Sequence, residues 1–140
     1  MNSNVDPASA RADTRVQWLA VAAALLALTG VGAGAFGAHS LKSVLTAGRL
    51  NAYDTAVRYQ QVHALALFAC AWALQTWPSR LAFAAGVCLA TGAVLFCGSL
   101  YLVALLDEPR FAIVTPFGGF ALLAGWILLA AAAMPYRRTR

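Results

Sequence analysis

Charged and uncharged positions fall in long separate blocks along this chain. Four stretches carry no Asp, Glu, Lys or Arg: Val16 to Leu41, Tyr59 to Ser79, Leu81 to Leu106 and Phe111 to Tyr136. Each exceeds the roughly 20 residues that a helix needs to cross the hydrocarbon core of a bilayer. All ten Lys and Arg and all five Asp and Glu lie outside them. That distribution is expected when a charge at the bilayer centre costs about 2.5 kcal/mol or more. The pattern predicts an all-α fold: an integral membrane bundle of four transmembrane helices, with spans at about 17–38, 59–77, 82–106 and 115–134.

The segments between the spans are short. Residues 1–15 are polar, with Ser, Asn, Asp and Pro and no apolar periodicity, and are expected to form a disordered tail. Residues 137–140 make a basic tail. Between Lys42 and Arg58, the residues Val44, Leu45, Ala47 and Leu50 form a modest apolar face interrupted by Gly48, which predicts a short interfacial helix between helices one and two. Pro78-Ser79-Arg80 and Asp107-Glu108-Pro109-Arg110 mark tight turns, so helices two, three and four are antiparallel neighbours. Pro116 suits the first turn of the fourth helix and leaves Phe111 to Thr115 as an irregular approach to it. A cleavable leader competes for the first span, because Arg11 and Arg15 precede an apolar run and Ala33-Gly34-Ala35 has the form of a cleavage site. The run from Val16 to Phe36 is longer than the usual 7 to 15 residues of a leader core, so a retained span is expected.

A net charge of +5 would suggest nucleic acid in a soluble protein. Here the basic residues flank apolar spans, where they anchor to headgroups, and no nucleic-acid partner is expected. With four spans, Arg11, Arg15, Arg80, Arg137, Arg138 and Arg140 share one side against Lys42, Arg49, Arg58 and Arg110 on the other. Positive-inside counting then favours both termini in the cytoplasm. Cys70, Cys88 and Cys97 are odd in number, lie within spans and lack metal-binding spacing, so they read as small buried hydrophobes.

Lipid gives helices no apolar reason to associate, so contact depends on small residues and polar pairs. Gly30, Gly34, Gly37 and Ala38 form a stripe on the first span. Ala66, Ala69, Cys70 and Ala73 do so on the second, Gly86, Ala90, Ala93 and Cys97 on the third, and Gly118, Ala121 and Gly125 on the fourth. Gly30, Gly34, Gly37, Gly86, Gly118 and Gly125 are the candidate helix-packing glycines.

The sharpest chemical features are two histidines. His39 ends the first span and His63 lies just inside the second, so an up-down topology puts both at one membrane face, where they could meet. Tyr53, Gln60 and His63 share a side of the second helix, while Asp54 and Arg58 make an i, i+4 pair on another. Ser99 and Tyr101 close the third span, and Thr115 opens the fourth at the same face. The candidate polar site is therefore His39, Arg58, Tyr59, Gln60, His63, Ser99, Tyr101 and Thr115. Two readings stand. One is a polar vestibule able to relay protons or hold an anion or a quinone-like head. The other is a set of groups that hydrogen-bond one another and hold the helices in register. Two histidines alone make a poor case for bis-histidine haem, and zinc would need a further ligand, so no cofactor or metal is expected. No span contains the carboxylate of a proton-coupled exporter, and no Walker A, GxSxG or HExxH motif is present.

Several of these residues also carry a resemblance. Gly34-Ala35-Phe36-Gly37-Ala38-His39 is followed by Thr55-Ala56-Val57-Arg58-Tyr59-Gln60 with His63-Ala64-Leu65. Then come Gly98-Ser99-Leu100-Tyr101, and Thr115-Pro116-Phe117-Gly118-Gly119 with Gly125-Trp126. In this order they resemble the YgdD-like family of small four-helix membrane proteins of bacteria, with eukaryotic relatives. The polar tail before Arg15 is longer than is usual there, and Cys97 stands where the family is expected to have a small polar residue. The resemblance implies an inner-membrane protein with four spans and supplies no activity. The expected function is a non-enzymatic structural, assembly or oligomeric membrane component, partnered by the lipid bilayer, further copies or other membrane proteins. The alternative is a small channel, transporter or lipid-headgroup or small-molecule binder built on the vestibule.

Overall fold

The computed structural model describes residues 7–134, with side chains from Thr14 onward. Helix α1 runs from Pro7 to Phe36 and loosens into a π-helical turn, Gly37–Leu41; α2 follows from Ala47 to Thr76 and α3 from Arg80 to Leu106. A short 3-10 turn, Pro109–Ile113, leads into α4, Thr115–Ala133. No strand occurs among the described residues. Thr14–Leu41, Arg80–Leu106 and Pro109–Ala133 are long and apolar enough to cross a membrane. Helix α2 is as long but opens with Arg49, Asp54 and Arg58, so its uncharged part begins at Tyr59.

Three local expectations change. The polar segment expected to be disordered is helical from Pro7: proline fits a first turn, Ala8, Ala10, Arg11 and Ala12 are good helix formers, and lengthening an existing helix avoids the nucleation cost. The basic tail and the first six residues lie outside the described residues. No separate interfacial helix stands between α1 and α2, because Ala47 to Arg58 form the first turns of α2 itself. Only Gly48 interrupts that stretch, and with nothing within 4 Å of its would-be Cβ it breaks no packing. Finally, the approach to α4 is an ordered 3-10 turn.

Helix ends follow local chemistry. The Ser79 hydroxyl accepts from the Leu81 backbone N–H at 3.1 Å and caps α3. Asp107, in the left-handed region at φ 58°, ends it, and Pro109 two residues later prevents continuation.

Each helix packs along the next in chain order, and among the described residues the α1 and α4 backbones do not come close to each other. The expected four-helix bundle is thus an open array, with α2 and α3 as its middle members. One core cluster joins Leu19 and Ala23 of α1 to Leu67 and Cys70 of α2, Leu89 of α3 and Leu122 of α4. A second, nearer the α1–α2 turn, gathers Leu41, Tyr53, Val57 and Ala104. The outer surface carries Trp18, Leu28, Leu65, Phe120 and Ile127, all exposed, an arrangement suited to lipid rather than water.

Contact between α3 and α4 is the tightest. A Cβ on Gly118 would meet the Phe96 backbone nitrogen and lie 2.7 Å from its Cα, and one on Gly92 would lie 2.8 Å from the Leu122 nitrogen. Gly125 faces Leu89, whose Cγ would be 2.6 Å away. The α1–α2 seam is looser. Gly34 would place a Cβ 3.4 Å from Val57 Cγ1, and Gly30 would place one 3.3 Å from Gln61 Cγ. Gly37 sits under the Tyr53 ring, with Cε1 at 2.7 Å from such a Cβ, and Gly86 under the flexible end of Leu19. Gly92 was not among the candidate packing glycines. Gly118→Ala is expected to cost about 1–3 kcal/mol, the scale of overpacking against a backbone that cannot yield. Gly98→Ala, which would meet nothing within 4 Å inside α3, should be neutral or stabilise by up to about 1 kcal/mol. Thermal unfolding in detergent micelles compares the two, and equal losses would refute Gly118 as the determinant of the seam.

Candidate functional site

In lipid a buried polar side chain must find partners among neighbouring helices. Gln60 of α2, only 6% exposed, finds them on both sides. Its Nε2 donates to the Leu26 carbonyl at 3.0 Å and to Thr29 Oγ1 at 2.8 Å, both on α1. Its Oε1 accepts from the Tyr101 hydroxyl of α3 at 2.8 Å. Thr29 can accept because its own proton goes to the Leu25 carbonyl at 2.7 Å. One amide therefore joins three helices, and the Leu26 carbonyl, which only accepts, fixes which end is NH2. Tyr53 adds a second tie. Its hydroxyl donates to the Ala33 carbonyl at 2.8 Å, and its ring meets Tyr101 edge-on at 5.1 Å.

His63 lies one turn further along α2 and is 5% exposed. Nδ1 is 2.7 Å from the Tyr59 carbonyl, and Nε2 receives Trp126 Nε1–H from α4 at 3.2 Å. A carbonyl only accepts and an indole N–H only donates, so these partners select the neutral Nδ1–H tautomer. The Tyr59 ring stacks between His63 and Phe96, with centroids 5.8 and 4.5 Å away. Ser99 donates to the Phe96 carbonyl at 2.9 Å, which leaves Thr115 as the donor in their 2.7 Å contact across α3 and α4. Among the described residues no buried side-chain nitrogen or oxygen lacks a partner.

Two juxtapositions expected from sequence do not form. His39 is exposed on the π turn. Gly37 opposite Tyr53 and Gly34 opposite Val57 set a register that brings His39 level with the start of α2. His63 then lies about twelve residues, or about 18 Å, away along the axis. Nor does Arg58 pair with the Asp54 carboxylate. Its Nε donates to the Asp54 backbone carbonyl at 3.3 Å, and the ion pairs among the described residues are Arg49 with Asp107 and Arg110 with Glu108. On an exposed helix face a guanidinium can reach outward instead of back along its helix. The reading from sequence also missed Arg49. It donates from Nε to the Ala104 carbonyl at 2.7 Å and from Nη2 to that of Leu105 at 3.2 Å, satisfying the last turn of α3. No local signal marks it, since its partners are more than fifty residues away. No group of three or more His, Cys, Asp or Glu with metal-binding geometry occurs among the described residues.

Beside this network a cleft of about 640 Å³ opens between α2 and α4. Phe96 of α3 forms its floor, Arg58, Tyr59 and His63 line the α2 side, and Gly119 and Trp126 the α4 side.

A family described as "Protein of unknown function (DUF423)" matches residues 33–119. The chain is 38% identical to the UPF0382 inner membrane protein YgdD of Escherichia coli K12 over 122 residues, 87% of this chain and 93% of that protein. It is 37% identical to the UPF0382 membrane protein YwdK of Bacillus subtilis, covering 81% of this chain and 93% of the relative. It is also 39% identical to the membrane protein SSP2132 of Staphylococcus saprophyticus, over 76% and 88%. The chain belongs to this family. It is a membrane protein of a family of unknown function, and the apolar helices together with relatives named as inner membrane proteins support a bacterial inner membrane. No solved structure matches it. The matched range of the DUF423 family begins at Ala33, which accepts the Tyr53 hydroxyl, and ends at Gly119 in the cleft wall.

Gln60→Leu removes three interhelical hydrogen bonds and is expected to destabilise the array by about 1–3 kcal/mol, whereas Tyr101→Phe removes one and should cost about 1 kcal/mol or less. A double-mutant cycle in detergent checks this, and strictly additive losses would show that the two side chains are not coupled. Nitrogen NMR of labelled protein should find His63 as the Nδ1–H tautomer, with Trp126→Phe leaving that tautomer in place on the Tyr59 carbonyl and shifting only the Nε2 resonance; an Nε2–H tautomer in the wild type would overturn the assignment.

Proposed function

We propose that this protein is a non-catalytic membrane component that acts through assembly, with further copies of itself or with other membrane proteins. The observation that carries this reading is how Gln60 and His63 are spent. Both are buried, and every strong donor or acceptor they direct into the array is taken by a neighbouring helix or carbonyl. A ligand bound through them would have to break the bonds that hold α1, α2, α3 and α4 in register. The open array adds support, because α1 and α4 each present a long apolar flank that no other described helix covers.

All four helices cross the bilayer in this reading. Helix α2 packs along α1 on one side and α3 on the other, so membrane spanning by both neighbours carries α2 with it, its charged first turns at the headgroup level. Both termini are cytoplasmic, supported by six basic residues on that side against four opposite. Transport through the vestibule is less favoured, since its buried and half-buried polar groups, Gln60, His63, Ser99, Tyr101 and Thr115, are bonded within the array and His39 stands apart.

Chemical crosslinking in membranes, followed by mild detergent purification and mass spectrometry, should recover oligomers or defined membrane partners. A strictly monomeric, partnerless protein that turns over a substrate would sink the proposal. Reporter fusions at each terminus and at the Lys42–Thr46 and Asp107–Arg110 turns should report termini inside and these turns outside.

A further inference from the structure

Beyond assembly, the cleft between α2 and α4 has the chemistry of a binding site for a membrane constituent. Its floor and walls are largely apolar, with Phe96 and Trp126 among them, and its volume of about 640 Å³ falls within the range of small-molecule sites. Two polar groups in its lining are uncommitted. Arg58 uses only Nε, on a backbone carbonyl, and the Tyr59 hydroxyl has no hydrogen bond among the described residues. Arg58 is also the last charged residue before the 18 uncharged residues, Tyr59 to Thr76, that complete α2, which puts its guanidinium at headgroup depth. Asp54, one turn nearer the end of α2, brings no carboxylate oxygen into ion-pair range of it. On the α4 wall the cleft reaches from Pro116 to Trp126, ten residues or about 15 Å of helix, which is about half the 30 Å core and so the depth of one leaflet. The Trp126–His63 hydrogen bond lies at its deep end.

We infer that this cleft holds one anionic glycerophospholipid, an acyl chain lying over Phe96 and the phosphate on Arg58. A guanidinium offers phosphate two parallel N–H donors, and a mouth whose cation has no carboxylate oxygen within ion-pair distance repels the cationic end of a zwitterionic head and so favours an acidic one. The wall facing the bilayer is open, so the lipid enters sideways without any helix separating.

Native mass spectrometry of the purified full chain, delipidated and then offered palmitoyl-oleoyl phosphatidylglycerol or phosphatidylcholine in mixed micelles, tests this. One phosphatidylglycerol per chain is expected, preferred about tenfold over phosphatidylcholine, whose phosphate is equally available to Arg58 but whose choline cation the guanidinium repels. Arg58→Ala, at an exposed position, should bring that preference to about one, and Arg58→Lys should restore part of it. Gly119→Leu should abolish the adduct of either lipid. A Cβ there meets only the Phe96 ring edge at 3.9 Å, an ordinary contact, so the larger side chain fills the cleft without parting the helices. Glycerol 3-phosphate alone should not compete. Equal binding of the two lipids by the wild type, an unchanged preference in Arg58→Ala, a retained adduct in Gly119→Leu, or full competition by glycerol 3-phosphate would each overturn the site. Crosslinks placing a second copy in the cleft would do so as well, while leaving the assembly reading intact.

Discussion

The backbone-to-backbone approach of α3 and α4 at glycine is the contact on which the rest of the array depends. Lipid tails are as apolar as leucine, so burying apolar surface between helices gains little, and association relies on dense contact and polar ties. Gly118 lets the α4 backbone lie against that of Phe96, and Gly92 receives Leu122 from the other side. With α4 held this close to α3, Thr115 reaches Ser99 and Trp126 reaches His63. The α1–α2 seam works differently: its glycines admit the side chains of Tyr53, Val57 and Gln61, and hydrogen bonds from Gln60 and Tyr53 complete the grip.

This division produces an array with two unlike halves. Toward the α2–α3 turn the core is Leu67, Cys70, Leu89 and small alanines, held by packing, with the Arg15 guanidinium over the Phe83 ring at 4.8 Å. Toward the other end Gln60, Tyr101, Thr29 and Tyr53 form a ladder across α1, α2 and α3, and Arg49 satisfies the last carbonyls of α3. An amide left unpaired in hydrocarbon costs more than its bonds contribute when made, so the ladder resists sliding of one helix past another. The cleft follows from the same geometry. Helices α2 and α4 are both held to α3, and the space between them is floored by Phe96 and bridged by the Trp126–His63 hydrogen bond.

Much of the helical layout was legible because its cause is local. The cost of a charge in hydrocarbon acts residue by residue, so charge-free runs mark helices directly, and proline at 109 and 116 marks where α4 can begin. The glycines at 30, 34, 37, 86, 118 and 125 were visible by their spacing, and each meets a neighbouring helix within 4 Å of its would-be Cβ. Gly92 was not, because it falls between the positions of the stripe read on its helix. The two histidines looked equivalent, one near each end of a turn. They differ because the register at Gly37 and Tyr53 leaves one exposed beyond the seam and carries the other deep beside α4. Asp54 and Arg58 have the spacing of an ion pair, yet spacing states only that they can meet, and at a helix surface several outcomes lie within about 1 kcal/mol.

By itself the sequence determined an all-helical membrane protein, the approximate extent of its apolar helices and the small residues available for contact, since each of these rests on the solvation or shape of single residues. Only the tertiary structure decided that the array is open, that Gln60 rather than a histidine is its central tie, that Arg49 caps α3, and that a cleft remains beside Phe96. Those outcomes depend on register between residues thirty to sixty positions apart. Register is a sum over whole helix faces, in which no single residue type carries enough free energy to announce the result.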